Sequence, residues 1–148
     1  MKIDKFALEK ILVEEIPITT AIGINVSDIS NNTVILTAPL SNNINHKHTA
    51  FGGSLYSVAV LAGWSLLYVQ LNELELASHI VIQEGNMKYL HPVKDEISAC
   101  ANLPSNENFQ RFIRMYNKKG LSRIQLKVAI HQGNKLAAEL TGTYVIHV

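Results

Sequence analysis

The longest apolar stretch of the chain, LYSVAVLAGWSLLYVQL, runs from Leu55 to Leu71 and has almost no polar face. Its length and the Asn72-Glu73 stop predict a helix over residues 53–72 that is buried on all sides. Upstream, Phe6, Ile11, Leu12 and Ile16 keep roughly helical spacing behind Asp4, a good N-cap, until Pro17 ends the pattern. Residues 20–29 and 33–40 read as two strands around the turn-prone pair Asn31-Asn32, and 41–48 as a polar loop. Beyond the central helix the period changes to two. Residues 80–90 and 96–103 predict strands flanking HPVKD. Ser105 then caps a short amphipathic helix, NFQRFIRMYNKK, which Gly120 terminates. In 121–130, Ile124, Leu126, Val128 and Ile130 share one face and Arg123, Gln125 and Lys127 the other. Gly133-Asn134 turns the chain into a last strand, 136–148.

One wholly buried helix and about six mostly antiparallel strands make an α+β fold. A helix apolar on every side needs a partner that surrounds it, and a flat sheet leaves one side wet. A curved antiparallel sheet wrapped around a long central helix meets the demand, which is the hot-dog fold. Its 148 residues suffice for a single domain, 1–148, with no repeat or linker. Such a sheet leaves an exposed edge strand and an incomplete site, so a homodimer or higher homo-oligomer is expected.

Composition narrows the class. With 47% apolar and 17% charged residues the chain is globular rather than disordered. A net charge of +1 gives no global basic signature for nucleic acid or a membrane surface. Cys100 is the single cysteine, which excludes an internal disulfide and suits a reducing compartment. The N-terminal segment lacks a signal peptide's apolar region, and the run at 55–71 is broken by Ser57, Ser65 and Gln70. A cytoplasmic protein with a buried helix is the expectation. In the strand at 96–103, Cys100 is expected to be a buried small residue.

Candidate chemistry gathers in NHKHTAFGGS, Asn45–Ser54. Paired glycines at a helix start either make a tight turn or bring backbone close to a ligand, leaving N–H groups at the positive end of the helix dipole. Such groups can hold an oxygen atom as negative charge develops on it. His46 and His48 are candidate proton donors, with ordinary loop histidines as the alternative. Ser54 contacts substrate or caps the helix, and Phe51 packs or lines a pocket. Two imidazoles with no cysteine or carboxylate at ligand spacing make no metal site. Glu84 and Asn86 share parity in one strand and are expected to face solvent.

The segment NHKHTAFGGSLYSVAVLAGWSLLYVQL, with the later MKYLHPVKDEI, resembles the hot-dog superfamily of acyl-thioester enzymes. More narrowly it resembles the malonyl-acyl carrier protein decarboxylases formerly labelled thioesterases, in stand-alone form. Hot-dog thioesterases show a pattern like N-x-x-G-x-x-H-G-G followed by an acid further along the helix. Aligned on the glycines, Asn45 falls on the Asn, His48 replaces the Gly and Phe51 replaces the His. No Asp or Glu occurs from Ser54 to Asn72.

The resemblance implies decarboxylation of malonyl-acyl carrier protein to acetyl-acyl carrier protein, at the initiation of fatty acid synthesis. Asn45 matches the family's catalytic Asn, and the backbone of Gly53 would stabilise the enolate oxygen. His48, Thr49, Phe51, Gly52 and Ser54 are the expected substrate-binding residues. Asn42 and Asn43 are rivals of Asn45 for which turn capping is the better role. No metal or organic cofactor is implied. The partner is an acyl carrier protein bearing the malonyl thioester, or coenzyme A. Arg111, Arg114 and Lys118, followed by Lys119 and Arg123, form a local basic face suited to an acidic carrier, with solvated charge as the alternative. An acyl-CoA or acyl-carrier thioesterase is the first alternative function, and a non-catalytic acyl-thioester-binding dimer the second.

Overall fold

The computed structural model describes residues 2–76 and 78–148. Helix α1 (Lys5–Glu15) starts at Asp4, whose carboxylate accepts a bond from the Ala7 amide at 2.8 Å. It buries Leu8 and Leu12, while Phe6 stands 85% exposed, outside the face its spacing suggested. The expected strand at 20–29 is shorter: Ile18–Ile22 forms a small helix, α2, closed by Gly23 in the left-handed conformation. Thr19 is buried there, and the bend at Gly23 ends the helix before β1 (Asn25–Ile29) can begin.

Strand β2 (Thr33–Ala38) follows and leads through a 3-10 turn at Leu40–Asn42 into the polar loop. Helix α3 (Gly52–Glu73) comes next, then β3 (His79–Tyr89) and β4 (Ile97–Asn102). Helix α4 (Asn106–Lys119) runs from its Ser105 cap to Gly120. It is followed by β5 (Leu121–Gln132) and β6 (Lys135–His147), which form the long terminal hairpin.

All six strands join one antiparallel sheet in the order β1-β2-β4-β5-β6-β3. The sheet wraps α3 as the hot-dog fold requires, and half of the helix's 22 residues are buried. Tyr56, Val60, Trp64 and Tyr68, spaced four apart, remain only partly covered. They lie toward β3: the Trp64 indole donates to the Ile80 carbonyl at 3.2 Å, and the Tyr56 hydroxyl fills the space over Gly85.

One irregularity in β3 controls what faces the helix. Its register against β6 slips between Ile82 and Glu84, a bulge that reverses side-chain parity. Before it, Ile80 and Ile82 pack on the core; after it, Met87 does, with Tyr89 on the same parity. Glu84 and Asn86 are exposed. Cys100 departs from expectation: β4 buries Ile97, Ala99 and Ala101, so Cys100 takes the outward face and is partly exposed.

Candidate active site

The loop before α3 is held from both ends. Asn43 is buried, and its amide donates to the carbonyls of Ile22 at 2.9 Å and Pro39 at 2.8 Å. Its own carbonyl receives the Phe51 amide at 2.7 Å, and the Ala50 amide reaches the Val93 carbonyl at 2.8 Å. Asn42 donates to the Ala21 carbonyl at 3.3 Å. Both rivals of Asn45 are thus bound to backbone.

Asn45 organises the loop from inside. Its Oδ1 accepts the amides of Lys47 at 2.9 Å and Thr49 at 3.1 Å. Its Nδ2 donates to Thr49 Oγ1 at 2.9 Å and makes a loose 3.5 Å approach to the Ala50 carbonyl. The backbone turns between the Asn45 carbonyl and the His48 amide, 3.1 Å apart. At the end of that turn His48 adopts φ 63°, the left-handed region that glycine occupies without strain. His48 thus stands where the hot-dog pattern has Gly, a residue that adopts this conformation without strain. His46 and His48 are both exposed at the loop tip.

At the helix start, Phe51 is the N-cap and offers no side-chain bond. The amides of Ser54 and Leu55 turn back to the Phe51 carbonyl at 2.9 and 3.1 Å. Ser54 therefore sits inside the first turn and is not the cap. Among the described residues, no acceptor meets the amides of Gly52 and Gly53. These are orphan donors at the positive end of a 22-residue helix. Neither glycine has a positive φ, so the pair does not serve a turn. Gly53 permits a close approach instead: the Phe51 ring lies over its Cα, whereas a Cβ on Gly52 would meet the Tyr89 ring at an ordinary 3.4 Å.

Beside Gly52 lies a cavity of about 300 Å³ whose lining includes Ala50, Leu55, Tyr89, His91 and Val93, while Asn45, His48, Thr49, Phe51, Gly53 and Ser54 fall outside that lining. The Tyr89 hydroxyl donates to the Gly52 carbonyl at 2.9 Å. Burial, and then the neighbouring Tyr56 phenol, raise the Tyr89 pKa above the usual tyrosine value. Tyr89 and His91 are pocket residues that sequence patterning did not single out. The signal for Tyr89 was the parity break in IVIQEGNMKY, apolar at even positions early and odd positions late. Among the described residues, no three His, Cys, Asp or Glu side chains cluster as a metal site would require.

On the outer face, α4 and β5 frame a groove of about 910 Å³. Arg111, Lys119, Arg123 and Lys127 line it with one carboxylate, Glu139, around Phe112, Met115 and Leu121. Arg114 and Lys118 of the expected basic face fall outside the lining.

A curved sheet around a buried helix, with free amides at the helix start beside a small pocket, defines a thioesterase-like hot-dog protein. The family model described as "Putative thioesterase (yiiD_Cterm)" matches residues 5–148, and the chain belongs to that family. It is 36% identical to a protein of unknown function from Chlorobaculum tepidum, with a TM-score of 0.91 over 97% of this chain and 93% of that one. A Shewanella oneidensis protein named "putative thioesterase" is 26% identical, with a TM-score of 0.85 over 97% of each chain. A thioesterase from Haemophilus influenzae, 16% identical, shares the fold with a TM-score of 0.69 over 97% of this chain and 90% of that one. Membership indicates an enzyme acting on thioesters.

Proposed function

We propose that the protein removes carbon dioxide from a malonyl thioester borne by an acyl carrier protein, leaving the acetyl form. One observation carries this proposal: among the described residues, no carboxylate lines the pocket or the first turns of α3. The acid of the helix, Glu73, is at its far end, about 30 Å away at 1.5 Å per residue. Thioester hydrolysis needs a base for water or a nucleophile. Decarboxylation needs neither, because the substrate carries its own leaving group.

In the proposed reaction the bond from C2 to the carboxylate breaks and its electron pair moves toward the thioester carbonyl. The resulting enolate oxygen is held by the free amides of Gly52 and Gly53. The carboxylate takes the Nδ2 hydrogen of Asn45 that points at the Ala50 carbonyl, since 3.5 Å is the weakest contact in the loop. C2 then accepts a proton from the pocket imidazole, His91. A carboxylate near this point would repel the malonyl group. The groove supports a carrier protein over coenzyme A: cations spread over two elements around an apolar floor suit an acidic protein surface.

Hydrolysis is the second reading, favoured by His91 as a base in the pocket and by the family description. Mass analysis of malonyl and long-chain acyl thioesters, each on carrier protein and on coenzyme A, separates the readings. Acetyl-carrier supports decarboxylation, free thiol supports hydrolysis, and unchanged substrate leaves only binding. Asn45→Asp keeps the acceptor for Lys47 and Thr49 but removes the donor and adds a negative charge. It is expected to lower kcat about 100-fold, a size typical of losing one site donor, at a nearly unchanged melting temperature. An unchanged kcat would remove Asn45 from the mechanism.

A further inference from the structure

We infer that Tyr89 is a positioning residue that strengthens and aims the oxyanion donor of the site through a single peptide group. This rests on the reading in which the Gly53 amide receives the thioester oxygen. The Tyr89 hydroxyl donates to the Gly52 carbonyl at 2.9 Å, and that carbonyl belongs to the same peptide as the Gly53 N–H. A trans peptide is planar, with its N–H pointing opposite to its C=O. A bond at the carbonyl therefore fixes the direction of the Gly53 N–H and polarises it, and bonds in such a chain reinforce one another by about 10–30% each.

Position in the first turn already makes the Gly52 carbonyl a helical acceptor, and its second lone pair takes the phenol. The Gly53 N–H has no acceptor among the described residues, so the polarised end of the chain is open. The Tyr89 ring lies beside Gly52, where a Cβ would meet it at 3.4 Å, an ordinary contact. The β3 bulge between Ile82 and Glu84 supplies the parity that points Tyr89 at the helix. A phenol is protonated at neutral pH and therefore donates; partial burial, with the Tyr56 phenol second, moves the Tyr89 pKa further upward.

The test uses the full chain with Tyr89→Phe and with 3-fluorotyrosine placed at 89, a stronger donor of nearly the same shape. Losing an oxyanion donor outright costs about 10²–10³ in kcat, so losing its polarisation is expected to cost about tenfold. The KM for the malonyl thioester stays within about twofold, and fluorotyrosine restores kcat. The Gly53 amide proton resonance of the free protein moves upfield in Tyr89→Phe and returns with fluorotyrosine. Bound acetonyl-dethia-coenzyme A, a ketone isostere, shows a carbonyl stretch less red-shifted in Tyr89→Phe than in wild type.

A kcat for Tyr89→Phe equal to an active wild type overturns the inference, as does an unmoved Gly53 resonance. Wild-type protein inactive on malonyl and acyl thioesters alike defeats the proposed function instead, and the Gly53 resonance then decides the Tyr89 role alone. If Tyr89→Phe unfolds, comparison of fluorotyrosine with tyrosine decides the matter: equal Gly53 resonances refute the coupling.

Discussion

His48 shows most plainly what one residue costs this site. Its φ of 63° places a bulky side chain in the left-handed region, at about 1–2 kcal/mol, to close the turn that Asn45 organises. Glycine would avoid that strain but lose about 0.5–1 kcal/mol more chain entropy on folding. His48→Gly is therefore expected to stabilise the protein by about 0.5–1 kcal/mol, a melting increase of a few degrees at this size. Calorimetry checks the stability, and turnover checks the imidazole: a loss of kcat in the stabilised variant would assign His48 to the chemistry. The grouping of Asn45 and the glycines before α3 was legible in the sequence, whereas Ser54 also read as a cap and the N-cap is Phe51, with no side-chain bond. The use of Gly53 was not legible, since the close approach of the Phe51 ring depends on how the chain folds at the helix start. Tyr89 was hidden by the bulge, which a strict period-two pattern cannot place.

At the scale of elements, α3 is docked to β6 by Tyr144. Its hydroxyl donates to the Val60 carbonyl at 2.7 Å, and glycine at 63 leaves room for its ring. Tyr144 is fully buried, and burial, then the Tyr56 phenol, raise its pKa well above the usual tyrosine value. Below about pH 10 the phenol is neutral in both folded and unfolded chains, and its contribution is complete. Above that, the unfolded chain ionises while the folded one does not, so stability falls as pH rises toward the folded pKa. The slope from one such group is about 1.4 kcal/mol per pH unit. Tyr144→Phe is expected to lose about 1 kcal/mol at pH 7 with its hydrogen bond, yet to show a shallower decline between about pH 10 and 12. Urea unfolding across that range measures both; parallel declines would mean that another group governs alkaline unfolding. The elements α4, β5 and β6 were readable from periodicity and their caps or turns, and α3 from its apolar length, although burial on every side was expected of it and one stripe is only half covered. The short α2 was not. Five residues carry too little pattern, and burial of Thr19 and Ile22 against neighbours decides their conformation.

For the whole molecule, the two sheet ends differ in how they are covered. At one edge, β1 is five residues long and packed by α1. At the other, β3 offers eleven residues whose only strand partner among the described residues is β6. Next to it runs the half-covered stripe Tyr56, Val60, Trp64 and Tyr68. An unpaired edge beside an apolar stripe is a template for a second strand, and two copies related by a twofold would meet both needs at once. The pocket beside Tyr89 lies at the end of the same strand, so a partner there would also enclose it. Light scattering is expected to give twice the chain mass, with a melting temperature that rises with protein concentration. Val60→Lys places a charge in the stripe without touching the loop or the helix start. It should yield monomers whose lower melting temperature no longer depends on concentration, with turnover lost alongside. Wild-type protein that scatters as a single chain at micromolar concentration, and turns over at full rate there, would show that one hot-dog domain completes its own site.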